Sequence, residues 1–184
     1  YGDVKAPCIY DQILDFKEGL AKVRKDNKFG FFNRFGDLVV SCIYNVVYPF
    51  SEGMAAVKKD GQWGFVDKSG KLIIPCVYES SAIGFREGLI AVKKNGEWGF
   101  IDKSGNMIVP NIFDLVEDFR DGMAAVRENG CYWGMVDRSG RKVIPCTYPS
   151  GMDSPFTLEH GLYVYGGLEY IDKAGNVVIP RGLS

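Results

Sequence analysis

The sequence repeats itself five times, and this repetition constrains the fold more than any other feature. Glycine recurs at Gly30, Gly64, Gly99 and Gly134, in steps of 34, 35 and 35 residues. A second glycine series six residues later and a proline series keep the same phase. Such agreement identifies a tandem array of one supersecondary unit, within a single domain over 1–184. The predicted units are 7–40, 41–74, 75–109, 110–144 and 145–180, the last one degenerate.

The second unit shows the local structure that each copy is expected to form. Met54–Lys58 and Gln62–Asp67 have the composition of strands, and Asp60-Gly61 lies between them. Asp-Gly at this place indicates a tight hairpin, because both central residues of a type I′ turn need a positive φ. Asp67–Gly70 then predicts another turn, which leads into a third strand, Lys71–Pro75. Each unit is therefore predicted to be a three-stranded antiparallel meander joined to the next by an irregular arm.

The arm of each unit carries one phenylalanine in phase, followed two residues later by an acidic residue and then by glycine. These phenylalanines are Phe16, Phe50, Phe85 and Phe119. A single meander cannot bury both of its faces, so neighbouring units must stack. Stacking accounts for the 12 Phe, 10 Tyr and 3 Trp as repeated core positions, and for many of the 23 Gly as turn residues. The fold class is predicted to be all-β.

Two architectures fit such an array, an open twisted stack and a closed five-bladed β-propeller. The chain has five hairpins, but the strand that ends in proline or its equivalent occurs six times. An extra copy at one end favours the open array over a ring of five. The six positions are Pro7, Ser41, Pro75, Pro110, Pro145 and Pro180.

The repeated string F-x-E-G-[LM]-A-x-V-K-K-[DN]-G-x-W-G-F-[IV]-D-K-S-G-x-[LM]-I-[IV]-P resembles the WG β-repeat family, also called the KWG repeat. Residues 50–75 and 85–110 match it nearly throughout, and 119–145 match with Met135 and an inserted Cys131-Tyr132. Residues 7–40 match without the tryptophan, and 145–180 match weakly. The resemblance implies a mostly bacterial, all-β binding or interaction module and implies no reaction.

The composition narrows the classes of function. The formal net charge of -1 disfavours a nucleic-acid-binding surface built on bulk positive charge. A single histidine leaves little for a histidine metal site or for acid–base catalysis, so we expect no enzyme activity, cofactor or metal. The sequence contains no stretch of about 18 apolar residues, so no membrane insertion is expected. A chain that starts at Tyr1 without a signal peptide is expected to be a mature chain or an excised piece.

Two further residue series have structural interpretations. Aspartate recurs in the D-x-S-G turns at Asp67, Asp102, Asp137 and Asp172, where it is expected to cap the turn and not to act as a catalytic acid. Cysteine recurs beside proline at Cys8, Cys42, Cys76 and Cys146, where it is expected to be a small buried residue. Cys131 lies outside that series and is the candidate for an exposed thiol. Five cysteines favour a reducing environment but do not fix the compartment.

The remaining candidates concern binding. Basic residues recur at the end of the first strand of the meander, and stacked units would align them into a stripe. The last unit adds aromatic residues that break the repeat pattern and are expected to be exposed, together with the only histidine. The sequence therefore predicts a scaffold for protein–protein interaction, with a glycan- or peptide-binding module in the last unit as the alternative and the oligomeric state left open. The candidate residues are Lys58, Lys59, Lys93, Lys94 and Arg127 for the stripe, and Tyr148, His160, Tyr163 and Tyr165 for the last unit.

Overall fold

The computed structural model describes residues 10–130, 132–149, 156–165 and 169–180, and these residues form strands and turns without any helix. They build five antiparallel sheets of four strands each, and strand order within every sheet follows the chain. The described part of the chain therefore contains no helix that could span a membrane. The strands are β1 (Gln12–Lys17), β2 (Leu20–Lys25), β3 (Lys28–Asn33) and β4 (Leu38–Tyr44) in sheet 1; β5 (Val46–Val47), β6 (Met54–Lys59), β7 (Gln62–Asp67) and β8 (Leu72–Tyr78) in sheet 2; β9 (Ser80–Ser81), β10 (Leu89–Lys94), β11 (Glu97–Asp102) and β12 (Met107–Phe113) in sheet 3; β13 (Leu115–Val116), β14 (Met123–Glu128), β15 (Tyr132–Asp137) and β16 (Lys142–Pro149) in sheet 4; β17 (Phe156–Glu159), β18 (Leu162–Tyr165), β19 (Glu169–Ile171) and β20 (Val177–Ile179) in sheet 5.

The all-β repeat prediction is confirmed, but the three-stranded meander is wrong by one strand. The arm supplies the missing strand: in sheet 2, Val46 pairs with Lys58 and Val47 with Val57. Without it, the inner edge of β6 would expose unpaired N–H and C=O groups. In sheets 2, 3 and 4 this strand has only two residues, which is too short for an alternating pattern to be visible in the sequence.

The hairpin predicted at Asp60-Gly61 is confirmed. The two residues have φ of 50° and 83°, which are the positive values that a type I′ turn requires. The next turn is held by Asp67, whose Oδ1 accepts hydrogen bonds from the backbone N–H groups of Ser69 at 2.8 Å and Lys71 at 3.0 Å. The predicted role of the aspartate series as turn caps is therefore confirmed at Asp67.

The glycine of the Trp-Gly pair is required by a close approach of two strands. The outer strand β8 extends past Pro75 to Tyr78, and its register against β7 shifts between Trp63 and Phe65. The backbone of β8 thereby crosses directly over Gly64. A Cβ at Gly64 would lie 2.6 Å from the carbonyl oxygen of Ile74 and 2.8 Å from the carbonyl carbon of Pro75. Only glycine fits this crossing.

The sheets stack face to face, and the arm phenylalanine lies between them. In sheet 2, Ala55 and Val57 pack against sheet 1, whereas Met54 and Ala56 face sheet 3. The arm phenylalanines of sheets 2, 3 and 4 each pack edge-on against an aromatic ring of the preceding sheet. The centroid distances are 4.9 Å for Phe31–Phe50, 5.5 Å for Phe65–Phe85 and 4.8 Å for Phe100–Phe119.

The two ends of the stack remain exposed, so the described sheets form an open array and not a closed ring of five. Phe16 is 44% exposed, whereas its counterparts in sheets 2 to 4 are 0–2% exposed. At the other end Ile179 is 43% exposed, although the equivalent Ile74 is 2% exposed. The stack is also curved, because Lys17 of sheet 1 and Asp118, from the arm of sheet 4, line the same opening.

Candidate binding site at the hub

Each arm ends in a two-residue turn that ties one sheet to the next. In sheet 2 the turn consists of Glu52 and Gly53, both with positive φ, and is closed by hydrogen bonds between Ser51 and Met54. The carboxylate of Glu52 accepts a hydrogen bond from the N–H of Gly88 in sheet 3 at 2.9 Å. It also pairs with the ammonium group of Lys103 in sheet 3 at 3.1 Å.

The same contact recurs along the array. Glu18 accepts a hydrogen bond from Gly53 N at 3.0 Å, and Glu87 accepts one from Gly122 N at 2.9 Å. Burial raises the pKa of Glu52, but Lys103 and the N–H of Gly88 outweigh burial, so the net pKa lies below its usual value of 4.5. Glu18, Glu52 and Glu87 therefore link neighbouring sheets, and Glu18 and Glu52 are in addition paired with lysines.

Glu52→Gln is expected to lower the free energy of unfolding by about 1 kcal/mol at pH 7, because the link to Lys103 loses its charge. Since the folded-state pKa of Glu52 is depressed, its contribution is present above pH 4.5 and is lost as the pH falls below that value. Urea denaturation of both proteins between pH 7 and pH 3 measures this difference. We expect the free energies of unfolding of the wild type and the variant to converge at acidic pH. A constant difference across the range would contradict the assigned role, and the exposed Glu97→Gln variant is the control.

The residue between the arm phenylalanine and the acidic residue is basic in three of the first four arms. These residues are Lys17, Arg86 and Arg120, and all three are exposed. Lys17 and Arg86 lie at one opening near the axis of curvature, together with Ser51, Ile83 and Asp118, and we call this opening the hub. Its volume is about 380 Å³, and the arms of sheets 1 to 4 each contribute at least one residue to its lining. Arg86 Nε lies 3.8 Å from Asp118 Oδ2.

The phenylalanine and the acidic residue of each arm were recognised as repeat positions from the sequence, but the basic residue between them was not. The signal was present, because Lys17, Arg86 and Arg120 are in phase. What the sequence could not show is the curvature that brings the arms of successive sheets to one opening.

The predicted basic stripe lies elsewhere, at the hairpin ends of the sheets. Lys58 lies over the ring of Trp63, 5.5 Å from its centroid, and Arg127 lies over Trp133 at 5.7 Å. Such cation–π contacts give these two residues a structural role. Lys59 and Lys94 are exposed and Lys93 is half-buried. A binding role of the stripe remains a prediction.

The aromatic residues predicted to be exposed in the last unit are part of the core, which corrects that expectation. Tyr163 is 3% exposed and Tyr165 is 7% exposed. Tyr148 is half-buried and lies 4.6 Å from the ring of Tyr165. They are buried because sheets 4 and 5 stack, which the sequence of the last unit by itself does not reveal. His160 is exposed, and its φ of 50° places it in the turn that holds acidic residues in sheets 1 to 4.

Comparison with known sequences identifies the repeat. A sequence model of the WG-containing repeat matches residues 2–29, 29–63, 63–98, 98–132 and 133–156. The chain belongs to the WG-repeat family. A search of curated proteins finds no match.

Several solved structures resemble this WG-repeat protein at low sequence identity. The computationally designed protein Ika8 has a TM-score of 0.50 and 14% identity, over 93% of this chain and 58% of the designed one. A eukaryotic initiation factor has a TM-score of 0.51 and 8% identity, over 96% of this chain and 56% of the factor. Hsv2 of Kluyveromyces lactis has a TM-score of 0.49 and 13% identity, over 90% of this chain and 62% of Hsv2. The WG-repeat chain thus spans less than two thirds of each of these proteins.

A second concavity lies between sheets 4 and 5 of the WG-repeat stack. It has a volume of about 290 Å³, and Asp118 lines both it and the hub, so the two adjoin. Met123, Met135, Leu158 and Tyr163 line it, and we call it the inter-sheet cavity.

The three described cysteines of the WG repeats are half-buried and line neither concavity. Cys42, Cys76 and Cys146 are free thiols, and their intermediate exposure is less complete than the burial expected from the sequence. Burial raises the pKa of Cys146 to about 11, and the carboxylate of Glu128 adds to the shift. Cys131 lies outside the described residues, as do Cys8 and residues 150–155 of the last arm. Within the described part, no three His, Cys, Asp or Glu side chains group as metal ligands.

Proposed function

We propose that this chain is a non-enzymatic scaffold that binds a segment of another protein at the hub. The observation that carries the proposal is the convergence of successive arms on one opening with basic residues at in-phase positions. Repeat arrays bind partners through surfaces assembled from equivalent positions of neighbouring units. The hub is such a surface, and it is concave.

The charges at the hub favour an acidic segment. Lys17 and Arg86 are cationic, and Asp118 is the one acidic residue among the described residues that line the opening. The nearby Glu18 and Glu52 are already paired with Lys68 and Lys103 in the turns of the following sheets. The exposed side chain of Ile83, at 67%, offers an apolar contact in the same opening. Opposite charge would steer an acidic partner toward the hub.

Selection from a random peptide library displayed on phage, with the immobilised protein as bait, tests the proposal. We expect enrichment of acidic peptides that bind the wild type and are lost with the Lys17→Glu/Arg86→Glu variant. The matched control is Lys59→Glu/Lys94→Glu, which reverses two exposed charges in the stripe and should retain the peptides. If the hub variant retains the peptides and the stripe variant loses them, the binding site lies in the stripe and the hub proposal is wrong. Selection of no peptide, together with retention of a saccharide on a glycan array, would overturn the proposal.

The alternative function in the last unit has support in its peptide form only. A glycan site typically presents exposed aromatic faces, and here Tyr163 and Tyr165 are buried. The inter-sheet cavity, by contrast, is large enough for one side chain of a peptide and adjoins the hub. The two candidate sites can therefore serve one extended segment.

A further inference from the structure

The stacking contact between sheets 4 and 5 lacks the aromatic pair found in the three other contacts. Sheets 1 to 4 stack through Phe31–Phe50, Phe65–Phe85 and Phe100–Phe119. At the equivalent positions the last contact has Met135 and Leu158. Met135 is buried like its counterparts, but Leu158 is 46% exposed, whereas Phe119 is 2% exposed. The buried aromatic ring of this interface is instead Phe156, which is 8% exposed and packs 5.6 Å from the ring of Tyr148 in sheet 4.

Both replaced residues, Met135 and Leu158, line the inter-sheet cavity, together with Phe156. Met123, Met135 and Leu158 supply apolar walls, and the volume of 290 Å³ exceeds the roughly 150 Å³ of an engineered apolar cavity that binds benzene. The cavity is therefore large enough for an aromatic ring, and it lies beside the position that the arm phenylalanine fills in the other contacts.

One residue that lines the cavity has a buried hydroxyl group without a partner among the described residues. Tyr163 is 3% exposed, and its Oη makes no hydrogen bond to any described residue. Burial raises the pKa of Tyr163 to about 12, and the carboxylates of Asp121 and Glu87 add to the shift, so the hydroxyl remains a donor at neutral pH. A buried donor without an acceptor costs about 1–3 kcal/mol, and a ligand that supplies an acceptor removes this cost.

We propose that the inter-sheet cavity binds an aromatic side chain of a peptide segment, with a carbonyl group of the same segment accepting a hydrogen bond from Tyr163. The proposal rests on the proposed function, because the segment continues from the cavity into the hub past Asp118. The aromatic ring lies beside the position that Phe50, Phe85 and Phe119 fill in the other contacts. The cavity thus determines which acidic segments bind.

The test uses a seven-residue blocked peptide with a central phenylalanine flanked by glycines and then by glutamates, and its alanine counterpart. The protein carries ¹³C-methyl labels on methionine and isoleucine. We expect the methyl signals of Met123 and Met135 to move upfield and saturate with the phenylalanine peptide, because a ring placed between them shifts both. Met54 and Met107 lie outside the cavity and should not move. The alanine peptide should leave all four signals unchanged.

Two variants separate this proposal from a purely structural role of the residues. Met135→Phe/Leu158→Phe rebuilds the aromatic pair, so the Met123 signal should no longer respond to peptide. Tyr163→Phe keeps the cavity and folds as well as the wild type, because it removes a hydroxyl without a partner among the described residues, yet it should bind about tenfold more weakly. Unchanged affinity of Tyr163→Phe would overturn the assigned hydrogen bond.

The Ile83 methyl group reports on the hub and makes the two proposals distinguishable. A shift of Ile83 without shifts of Met123 and Met135 would overturn the aromatic site and leave the hub proposal standing. Equal methionine shifts with the alanine peptide would also overturn the aromatic site. If neither the Ile83 signal nor the Met123 and Met135 signals shift, both the hub proposal and the aromatic site are overturned.

Discussion

Gly64→Ala is expected to destabilise the protein by about 3 kcal/mol, because the strand that crosses Gly64 has no room for a methyl group. The added Cβ would lie 2.6 Å from Ile74 O, 2.7 Å from Cys76 N and 2.8 Å from Pro75 C. All three are backbone atoms, so relief requires moving β8 away from β7 and breaking their pairing. Urea denaturation followed by circular dichroism measures the loss.

Gly61→Ala is the matched control for this substitution. Gly61 lies in the hairpin of the same sheet with φ of 83°. Apart from Gly61 and its two chain neighbours, no residue has an atom within 4 Å of the place that an added methyl group would take. Its replacement costs only the strain of a left-handed alanine, about 1 kcal/mol. If Gly64→Ala cost no more than Gly61→Ala, the close approach of β8 would not be the reason for the Trp-Gly pair.

Phe85→Ala is expected to cost about 4 kcal/mol, because it opens a cavity between sheets 2 and 3. Phe85 is 1% exposed and packs edge-on against Phe65 in a cluster shared by the two sheets. The loss combines the burial of a phenylalanine with the aromatic contact. Equilibrium denaturation in urea gives the change in free energy.

Phe16→Ala provides the comparison at the same position of the repeat. Phe16 is 44% exposed because no other described sheet packs against its face, so its replacement should cost about 1 kcal/mol or less. Equal losses for Phe16→Ala and Phe85→Ala would contradict the stacking order described for the five sheets.

The turns and the repeat could be predicted from the sequence, because they depend on local chemistry. Asp60-Gly61 and Asp67 each determine their turn through residues within four positions. The fourth strand of each sheet could not be predicted, since Val46–Val47 and Ser80–Ser81 are two residues long and chemically unlike each other. Their pairing follows from the open edge of the next strand and not from their own composition.

The candidate site was predictable only in part, for a different reason. The replacement of the aromatic pair by Met135 and Leu158 is visible in the sequence, but the cavity that they line appears only when sheets 4 and 5 are stacked. The burial of Tyr163 likewise depends on the neighbouring sheet. Contacts between repeats decide these features, and a sequence pattern within one repeat does not contain them.

The most direct test of the stacked, open array is hydroxyl-radical footprinting of the four arm phenylalanines by mass spectrometry. The residues share a chemical type and a repeat position, so their oxidation rates differ only through exposure. The 44% exposure of Phe16, against 0–2% for Phe50, Phe85 and Phe119, predicts that Phe16 is oxidised far faster than the other three. Protection of Phe16 equal to that of the others would contradict the open end, and equal oxidation of all four would contradict the stacking itself.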